Sequence, residues 1–325
     1  MIAAATFLFA ILFPKISDGT PILLALVGIS AIRSVGTGIQ TPAVNAAVTQ
    51  LVPQDKLMKF NGYNATVQSL VQFVAPAAAG AILSWGTLRM AMITDVATAI
   101  VGIGVLCAVE IPFEKRENSP STLTEIKTGI RYAVKEKFIG RLLILFGLFV
   151  FLCVPVGFMS TLFVTRYYGD SYWNMTLVEV VGCVGMTVGG ILMGIWGGFK
   201  NRMKTLVTGI FAFGALAVGM GVIDNYIVYL VLMSVYGVAL STVQTAVTTL
   251  FQERSSPEMQ GRVFGLYGAA YSGFLPLGMA VFGPLADVVS LRLLMILSGV
   301  LLTATSIFIT FDKRFYFYGI NDEKR

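Results

Sequence analysis

The sequence predicts an all-α membrane protein with about ten transmembrane helices. Of its 325 residues, 56% are hydrophobic and only 12% are charged, and the mean hydropathy is +0.80. A soluble domain carries roughly 25% charged residues, so this chain has too few charges to cover a surface facing water. Apolar runs near the roughly 20 residues that cross a bilayer recur along the whole chain. A single soluble domain is therefore excluded.

The apolar runs predict the position of each span. We place membrane spans at residues 1–14, 21–45, 62–84, 88–109, 139–163, 175–198, 205–223, 226–250, 263–286 and 289–311. These runs are too long for barrel strands, and lipid offers no hydrogen-bond partner to backbone amides or carbonyls. Each span is therefore predicted to be a helix.

The distribution of basic residues predicts the orientation. Most of the 23 Lys and Arg residues fall into alternate loops, on the side that also holds both chain termini. Basic loops stay in the cytoplasm, so both termini are predicted to be cytoplasmic. We expect a multi-pass protein of a bacterial plasma membrane, in contact with membrane lipid. The net charge of +6 is explained by these loops, and no nucleic-acid partner is expected.

The residue types argue against catalysis. The chain contains no histidine, and its three cysteines lie in apolar segments without the spacing of a metal site. No carboxylate pair or nucleophile with an adjacent base occurs within the spans. We therefore expect no enzyme activity, no metal site and no cofactor.

A polar stretch over residues 112–138 separates four spans from six. Its second part, Leu123–Phe138, has apolar residues at helical spacing with basic residues on another face. This pattern predicts an amphipathic helix at the membrane surface, with lipid binding or a solvated linker as its two interpretations.

An internal repeat relates the two parts of the chain. Ala47–Leu51 (AVTQL) recurs as Ala246–Leu250 (AVTTL), and each copy ends a span on the cytoplasmic side. A short polar loop with a proline follows each copy, and then comes a Gly-rich helix that carries Pro76 or Pro276. Duplicated bundles of this kind are typical of transporters.

Several segments together resemble the major facilitator superfamily, in its drug:proton antiporter branch of macrolide efflux proteins and siderophore exporters. They are Ala31–Ala43, Leu51–Leu57, Asn61–Gly62, Gly261–Gly265 and Pro276–Asp287. The resemblance implies a bundle of 4 + 6 helices, in which the first two of the usual twelve helices are missing. It implies an incomplete N-terminal bundle over 1–111, a cytoplasmic linker over 112–138, a six-helix bundle over 139–311 and a tail over 312–325.

Three charged residues are candidates for transport or proton coupling. Arg33 lies about 12 residues into its span, near the bilayer centre, where a charge costs at least ~2.5 kcal/mol. It also resembles the arginine that this family associates with proton coupling, and a structural ion pair is the alternative. Glu179 can carry a proton or bind a cationic substrate, or can simply be hydrated near the outer end. Asp95 is expected to have a structural partner such as Arg89 or an amide.

Polar residues on the spans that line the cavity in the resembled fold form a second group. These cavity candidates are Gln40, Asn45, Gln68, Gln72, Gln244, Thr245 and Tyr236. Contacts between helices are the competing interpretation. Residues predicted to act in packing or as hinges are Pro76, Gly80, Gly185, Gly189 and Pro276.

The resemblance implies a secondary active transporter that exports lipophilic, macrolide-like molecules by alternating access, with protons as the coupling ion. Export of a siderophore or another metabolite is one alternative. A membrane fragment without transport activity is an alternative of another class.

Overall fold

The computed structural model describes residues 20–85, 88–108 and 122–317, and the regular elements in these ranges are all helical. Seven helices there are long and apolar enough to cross a membrane. The all-α membrane fold predicted from composition is confirmed. The predicted span at 1–14 lies outside the described residues.

The helices follow one another along the chain. They are α1 (Thr20–Leu51), α2 (Leu57–Trp85), α3 (Leu88–Cys107), α4 (Thr122–Lys135), α5 (Lys137–Gly157), α6 (Ser160–Tyr168), α7 (Tyr172–Trp196), α8 (Arg202–Val222), α9 (Tyr226–Arg254), α10 (Gln260–Val288), α11 (Leu291–Phe311) and α12 (Lys313–Phe317). A 3-10 turn over Gln54–Lys56 joins α1 to α2.

The loops of the second half end where side chains cap the next helix. Asn201 accepts hydrogen bonds from the backbone amides of the first turn of α8, and Asn225 does the same for α9. Ser290 caps α11 through the amide of Leu293. These residues satisfy amides that have no partner inside the helix, so they define where each helix begins.

The predicted span at 139–163 is divided in the structure. α5 ends at Gly157, shortly after Pro155, and a separate helix α6 begins at Ser160. Proline is compatible with a helix end because it has no N–H to donate. The predicted amphipathic helix is confirmed as α4, although it ends at Lys135, three residues earlier than expected.

Aromatic rings form the centre of the bundle of α5 and α7 to α11. The ring centroid of Phe213 on α8 lies 4.2 Å from that of Tyr236 on α9 and 4.8 Å from that of Phe149 on α5. All three side chains are buried. Aromatic pairs at these separations add to the energy of apolar burial, so this stack ties three helices together.

Helix α7 is packed between α2 and α9, and glycines line both contacts. Gly182, Gly185 and Gly189 face α9, and Gly190 and Gly194 face α2. A Cβ at Gly189 would lie 2.8 Å from the Cα of Val238, and one at Gly190 would lie 2.6 Å from the backbone nitrogen of Thr66. Small residues let helix backbones approach closely, so the predicted stripe provides two packing faces rather than one.

The α7–α9 contact predicts a specific cost for an added methyl group. A Cβ at Gly185 would overlap the backbone of Ser234, which cannot rotate away as a side chain would. We expect Gly185→Ala to destabilise the purified protein by roughly 1–3 kcal/mol, measured by thermal unfolding in detergent.

Gly219→Ala on α8 is the matched control. Its added Cβ would meet the Leu232 side chain at 3.5 Å, an ordinary contact, so we expect unchanged or slightly raised stability. Equal melting temperatures for the two variants would contradict the close-packing account.

Candidate functional site

Arg33 on α1 and Asp95 on α3 form one ion pair. Nη1 of Arg33 donates to Oδ2 of Asp95, and Nη2 donates to Oδ1 at 3.1 Å. The two side chains are 40% and 36% exposed, respectively. Charges within membrane helices usually pair in this way because an isolated charge is costly there.

The pair connects two residues that the sequence places in separate roles. Asp95 is bonded to Arg33 through both carboxylate oxygens. The expected partner Arg89 has its side chain outside the described residues, so its pairing with Asp95 stays a prediction. Arg33 and Asp95 are 62 positions apart, and helical periodicity alone does not bring them together.

Glu179 lies on an exposed part of α7. It accepts a hydrogen bond of 2.9 Å from the hydroxyl of Thr161 on α6. The structure thus places this carboxylate near the end of the bundle opposite the α7–α8 loop, bridged to the neighbouring short helix. It lies apart from the Arg33–Asp95 pair in sequence and on a different set of helices.

A buried set of neutral polar side chains joins α1 and α2 to α9 and α10. We call Thr49, Asn61, Thr249, Gln252 and Gln260 the gate cluster. Asn61 donates to Thr249 at 2.9 Å and to Gln252 at 2.6 Å, and Thr49 bonds to the side-chain oxygen of Gln260. Asn61, Thr249, Gln252 and Gln260 are each at most 4% exposed, so their hydrogen bonds are shielded from water.

The gate cluster follows the internal repeat. The offset that takes Leu51 to Leu250 also takes Asn61 to Gln260. The end of α1 bonds to the start of α10, and the end of α9 bonds to the start of α2. The two copies of the repeat therefore contact each other reciprocally around one end of the molecule.

Two further contacts lie beside the gate cluster. Nε2 of Gln252 donates to the carbonyl of Asn45 at 3.3 Å, which joins α9 directly to α1. Deeper along α2, the hydroxyls of Ser69 and Thr187 lie 2.8 Å apart. The first half of α2 is thus bound to α7 and α9, whereas its residues 70–80 are exposed.

Next to the gate cluster, an ion pair joins α8 to α9 in the second half of the protein. Nε of Arg202 donates to Glu253 at 3.1 Å, and its Nη1 donates to the carbonyl of Gly197 at 2.8 Å. The side chains are 13% and 3% exposed. Gly197 and Gly198 have φ values of 76° and 72°, which favour glycine, and they let the α7–α8 loop turn back onto Arg202.

The remaining cavity candidates divide by burial. Gln40, Gln68 and Gln72 are exposed on α1 and α2, and Asn45 and Gln244 are half-buried. Thr245 and Tyr236 are each 2% exposed. Both are buried in the bundle, where the Tyr236 hydroxyl lies 3.3 Å from the Cys153 sulfur.

The hinge candidates on the two long proline-containing helices lie away from the gate cluster. Pro76 and Gly80 on α2 and Pro276 on α10 are exposed. α2 and α10 each begin at the gate cluster and carry a proline inside the helix. Within the described ranges, no three Cys, Asp or Glu residues converge in a way that could hold a metal ion.

The sequence alone does not mark the residues of the gate cluster as a site. Its members are neutral, and a buried amide at a helix end looks like any polar residue beside a loop. The repeat was the available signal, since Thr49 and Thr249 lie in its two copies and Asn61 and Gln260 occupy equivalent positions after them. The helix end in each copy bonds to the helix start that follows the other copy, and only the tertiary structure shows that pairing.

Comparison with known proteins assigns the family. Residues 1–279 match the sequence profile described as Major Facilitator Superfamily. The chain belongs to the major facilitator superfamily, and it is a multi-pass membrane transporter of that family rather than an enzyme.

Relatives and a solved structure agree with this assignment. Macrolide efflux protein A of Enterococcus faecalis is 30% identical over 253 residues, covering 76% of this chain and 78% of the relative. Macrolide efflux protein A of Streptococcus pyogenes is 29% identical over 281 residues, covering 85% and 69%. The crystal structure of a bacterial homologue of the iron transporter ferroportin, in an outward-facing state, superposes with a TM-score of 0.71 at 15% identity, covering 95% of this chain and 80% of that one.

The Arg33–Asp95 pair predicts coupling between two substitutions. We expect Arg33→Ala and Asp95→Ala each to lower thermal stability, and the double variant to lose less than the sum of the two. Because both side chains are more than a third exposed, the coupling should be about 1 kcal/mol or less. The measurement is thermal unfolding of the four proteins in the same detergent, and strictly additive losses would contradict the pairing.

Proposed function

We propose that this chain exports lipophilic small molecules of the macrolide type by alternating access, in exchange for protons. In this proposal it lies in a bacterial cell membrane with both termini in the cytoplasm. The observation that carries the proposal is the gate cluster, which joins the two repeats at one end of the molecule through buried neutral hydrogen bonds. Relatives near 30% identity that are named macrolide efflux proteins support the substrate class.

Neutral hydrogen bonds suit a contact that must open and close. A protein hydrogen bond contributes only about 0.5–1.5 kcal/mol net, because water replaces the partner when the contact opens. The bonds of Asn61 and Thr49 to the second half can therefore be exchanged for water at modest cost. A difference of a few kcal/mol between two states is the range in which a substrate can shift the population.

The glycine-lined contact between α2 and α7 supports rocking of one half against the other. Gly190 brings the backbone of α7 close to that of α2, and Gly194 leaves room for the ring of Tyr63 on α2. Pro76 interrupts the backbone hydrogen bonding of α2 beyond this contact, and Pro276 does the same in α10. Rocking about a central contact is how repeat-based transporters alternate access.

The Arg33–Asp95 pair supports proton coupling. Ionised Asp95 binds Arg33 through two hydrogen bonds, and protonation of the carboxylate would remove the charge that holds Arg33. The pair then offers two arrangements that differ by one proton. A titratable ion pair within membrane helices is a common element of proton-driven transporters.

A transport assay tests this proposal. Inside-out vesicles from bacteria that express the chain should accumulate a radiolabelled macrolide when a proton gradient is present. A protonophore should abolish the accumulation because it removes the gradient. Arg33→Ala should lower the initial rate to near that of vesicles without the chain, because Asp95 would lose the cation whose binding depends on the protonation of its carboxylate.

Arg292→Ala is the control for this assay, because Arg292 forms an ion pair with Asp224 in a loop distant from Arg33 and should leave the rate near that of the parent. Accumulation that persists in the protonophore would reject proton coupling. No accumulation above vesicles without the chain would reject export and favour the alternative of a non-transporting membrane protein.

If the gate cluster opens during transport, a releasable cross-link across it should stop transport reversibly. In a background with Cys107, Cys153 and Cys183 replaced by Ser, Asn61→Cys and Thr249→Cys should be bridged by a short bifunctional thiol-reactive reagent that a reducing agent can release. Because the bridge holds the two halves together, we expect transport to stop on treatment and to recover on release.

The matched control for the block places both cysteines within one half. Asp224→Cys and Arg292→Cys join the α8–α9 loop to α11, so a bridge there should leave transport unaffected. Continued transport with the Asn61 and Thr249 positions bridged would show that this end does not open during the cycle.

A further inference from the structure

The linker helix α4 presents three different faces. One face carries Glu125, Gly129 and Tyr132, which pack against the second half of the protein. The other two faces are exposed. They are the apolar row Ile126, Ile130 and Val134 and the basic row Lys127, Arg131 and Lys135.

The packed face attaches α4 to the α9–α10 loop and to the first turn of α10. Nη2 of Arg262 donates to Glu125 at 2.9 Å, and the Tyr132 hydroxyl accepts a hydrogen bond from the backbone amide of Ser256 at 3.3 Å. A Cβ at Gly129 would lie 3.2 Å from the Cβ of Arg262, so the two helices approach closely. This face fixes the orientation in which α4 presents its other two faces.

The apolar row is unusually exposed for a helix already docked on one side. Ile126, Ile130 and Val134 are 51%, 49% and 75% exposed, and their spacing of four residues aligns them along the helix. Lys127, Arg131 and Lys135 follow each of them by one position and are also exposed. Apolar residues bordered by cations match the interface of an anionic bilayer, where the apolar side chains insert and the cations bind phosphates.

The chain path brings this row to the membrane boundary. Only Glu136 separates α4 from α5, and the membrane span that contains α5 begins at Lys137. Val134 therefore lies within three residues of the start of a span.

A basic cavity lies at the same point. Lys135, Lys137, Arg141 and Arg314 line a cavity of about 360 Å³, and among the described residues that line it Glu136 supplies the only carboxylate. Arg141 is positioned there by an ion pair with Asp312 at 2.9 Å. Basic pockets at the cytoplasmic boundary of membrane helices bind the headgroups of anionic lipids.

We propose that α4 and the cavity at its C-terminal end form a binding site for anionic phospholipid. The apolar row inserts between acyl chains, the basic row binds the surface phosphates, and the cavity holds one headgroup. The charge of both exposed features selects an anionic over a zwitterionic surface. Since the packed face of α4 holds Arg262, two residues from Gln260 in the gate cluster, lipid bound here also stabilises the start of α10.

Hydrogen exchange on the full chain tests this site without relying on transport. The protein is placed in nanodiscs of phosphatidylcholine alone or with phosphatidylglycerol added to about a third of the lipid. We expect amide exchange over residues 122–135 to slow at least about fivefold with phosphatidylglycerol. The effect should weaken in high salt, because salt screens the attraction between exposed charges.

Two variants and one control complete the test. Lys127→Gln/Arg131→Gln/Lys135→Gln should abolish the effect of phosphatidylglycerol, and Ile126→Ser/Ile130→Ser/Val134→Ser should reduce it. Lys56→Gln/Lys200→Gln/Lys204→Gln removes the same charge from the α1–α2 connection and from the region where α7 is joined to α8, and should keep the effect of phosphatidylglycerol. Unchanged exchange in α8 and α11 shows that each variant is folded.

Each remaining outcome overturns the proposal. Equal exchange in the two kinds of nanodisc would reject an anionic-lipid site. Loss of the effect in the control variant would assign it to net charge rather than to α4. Slowing by soluble glycerol phosphate in phosphatidylcholine nanodiscs would identify a site for free phosphate instead of lipid.

Discussion

The spacing of α2, α7 and α9 is the constraint on which the gate end of the protein depends. α7 carries glycines towards both neighbours, so the backbones on either side can approach it without intervening side chains. A methyl group on Gly185 or Gly190 would collide with backbone atoms of α9 or α2, and backbone cannot rotate out of the way. The close approach brings Asn61 on α2 within hydrogen-bonding distance of Thr249 and Gln252 on α9.

The ion pairs discussed above lie within one half of the protein, whereas the gate cluster joins the two halves through neutral hydrogen bonds. Ion pairs lie within each half: Arg33 with Asp95 between α1 and α3, and Arg202 with Glu253 between α8 and α9. Breaking a buried ion pair leaves a charge without compensation, so the Arg202–Glu253 contact holds its elements firmly. The side-chain hydrogen bonds of the gate cluster between the halves are made by uncharged groups, which water can replace at lower cost. This division suits two stiff bodies with a contact that can separate.

The linker helix connects this gate end to the membrane surface. Its packed face reaches Arg262 in the first turn of α10, where Gln260 belongs to the gate cluster. Its opposite faces expose apolar and basic rows to the surroundings. In the proposed lipid site and transport cycle, the composition of the surrounding leaflet would act on the helix that carries Gln260 of the gate cluster.

By itself, the sequence determined the helical membrane fold, the approximate limits of the described spans and the amphipathic nature of α4. These features follow from local hydrophobicity and from the need of backbone groups in lipid to bond within their own helix. The sequence also revealed the internal repeat that relates the two parts of the chain. Only the tertiary structure decided that Arg33 pairs with Asp95, that Tyr236 and Thr245 are buried, and that Asn61 bonds across the halves. Those facts depend on which helix faces lie opposite each other, and helical periodicity leaves that choice open because apolar residues surround most of these spans on every side.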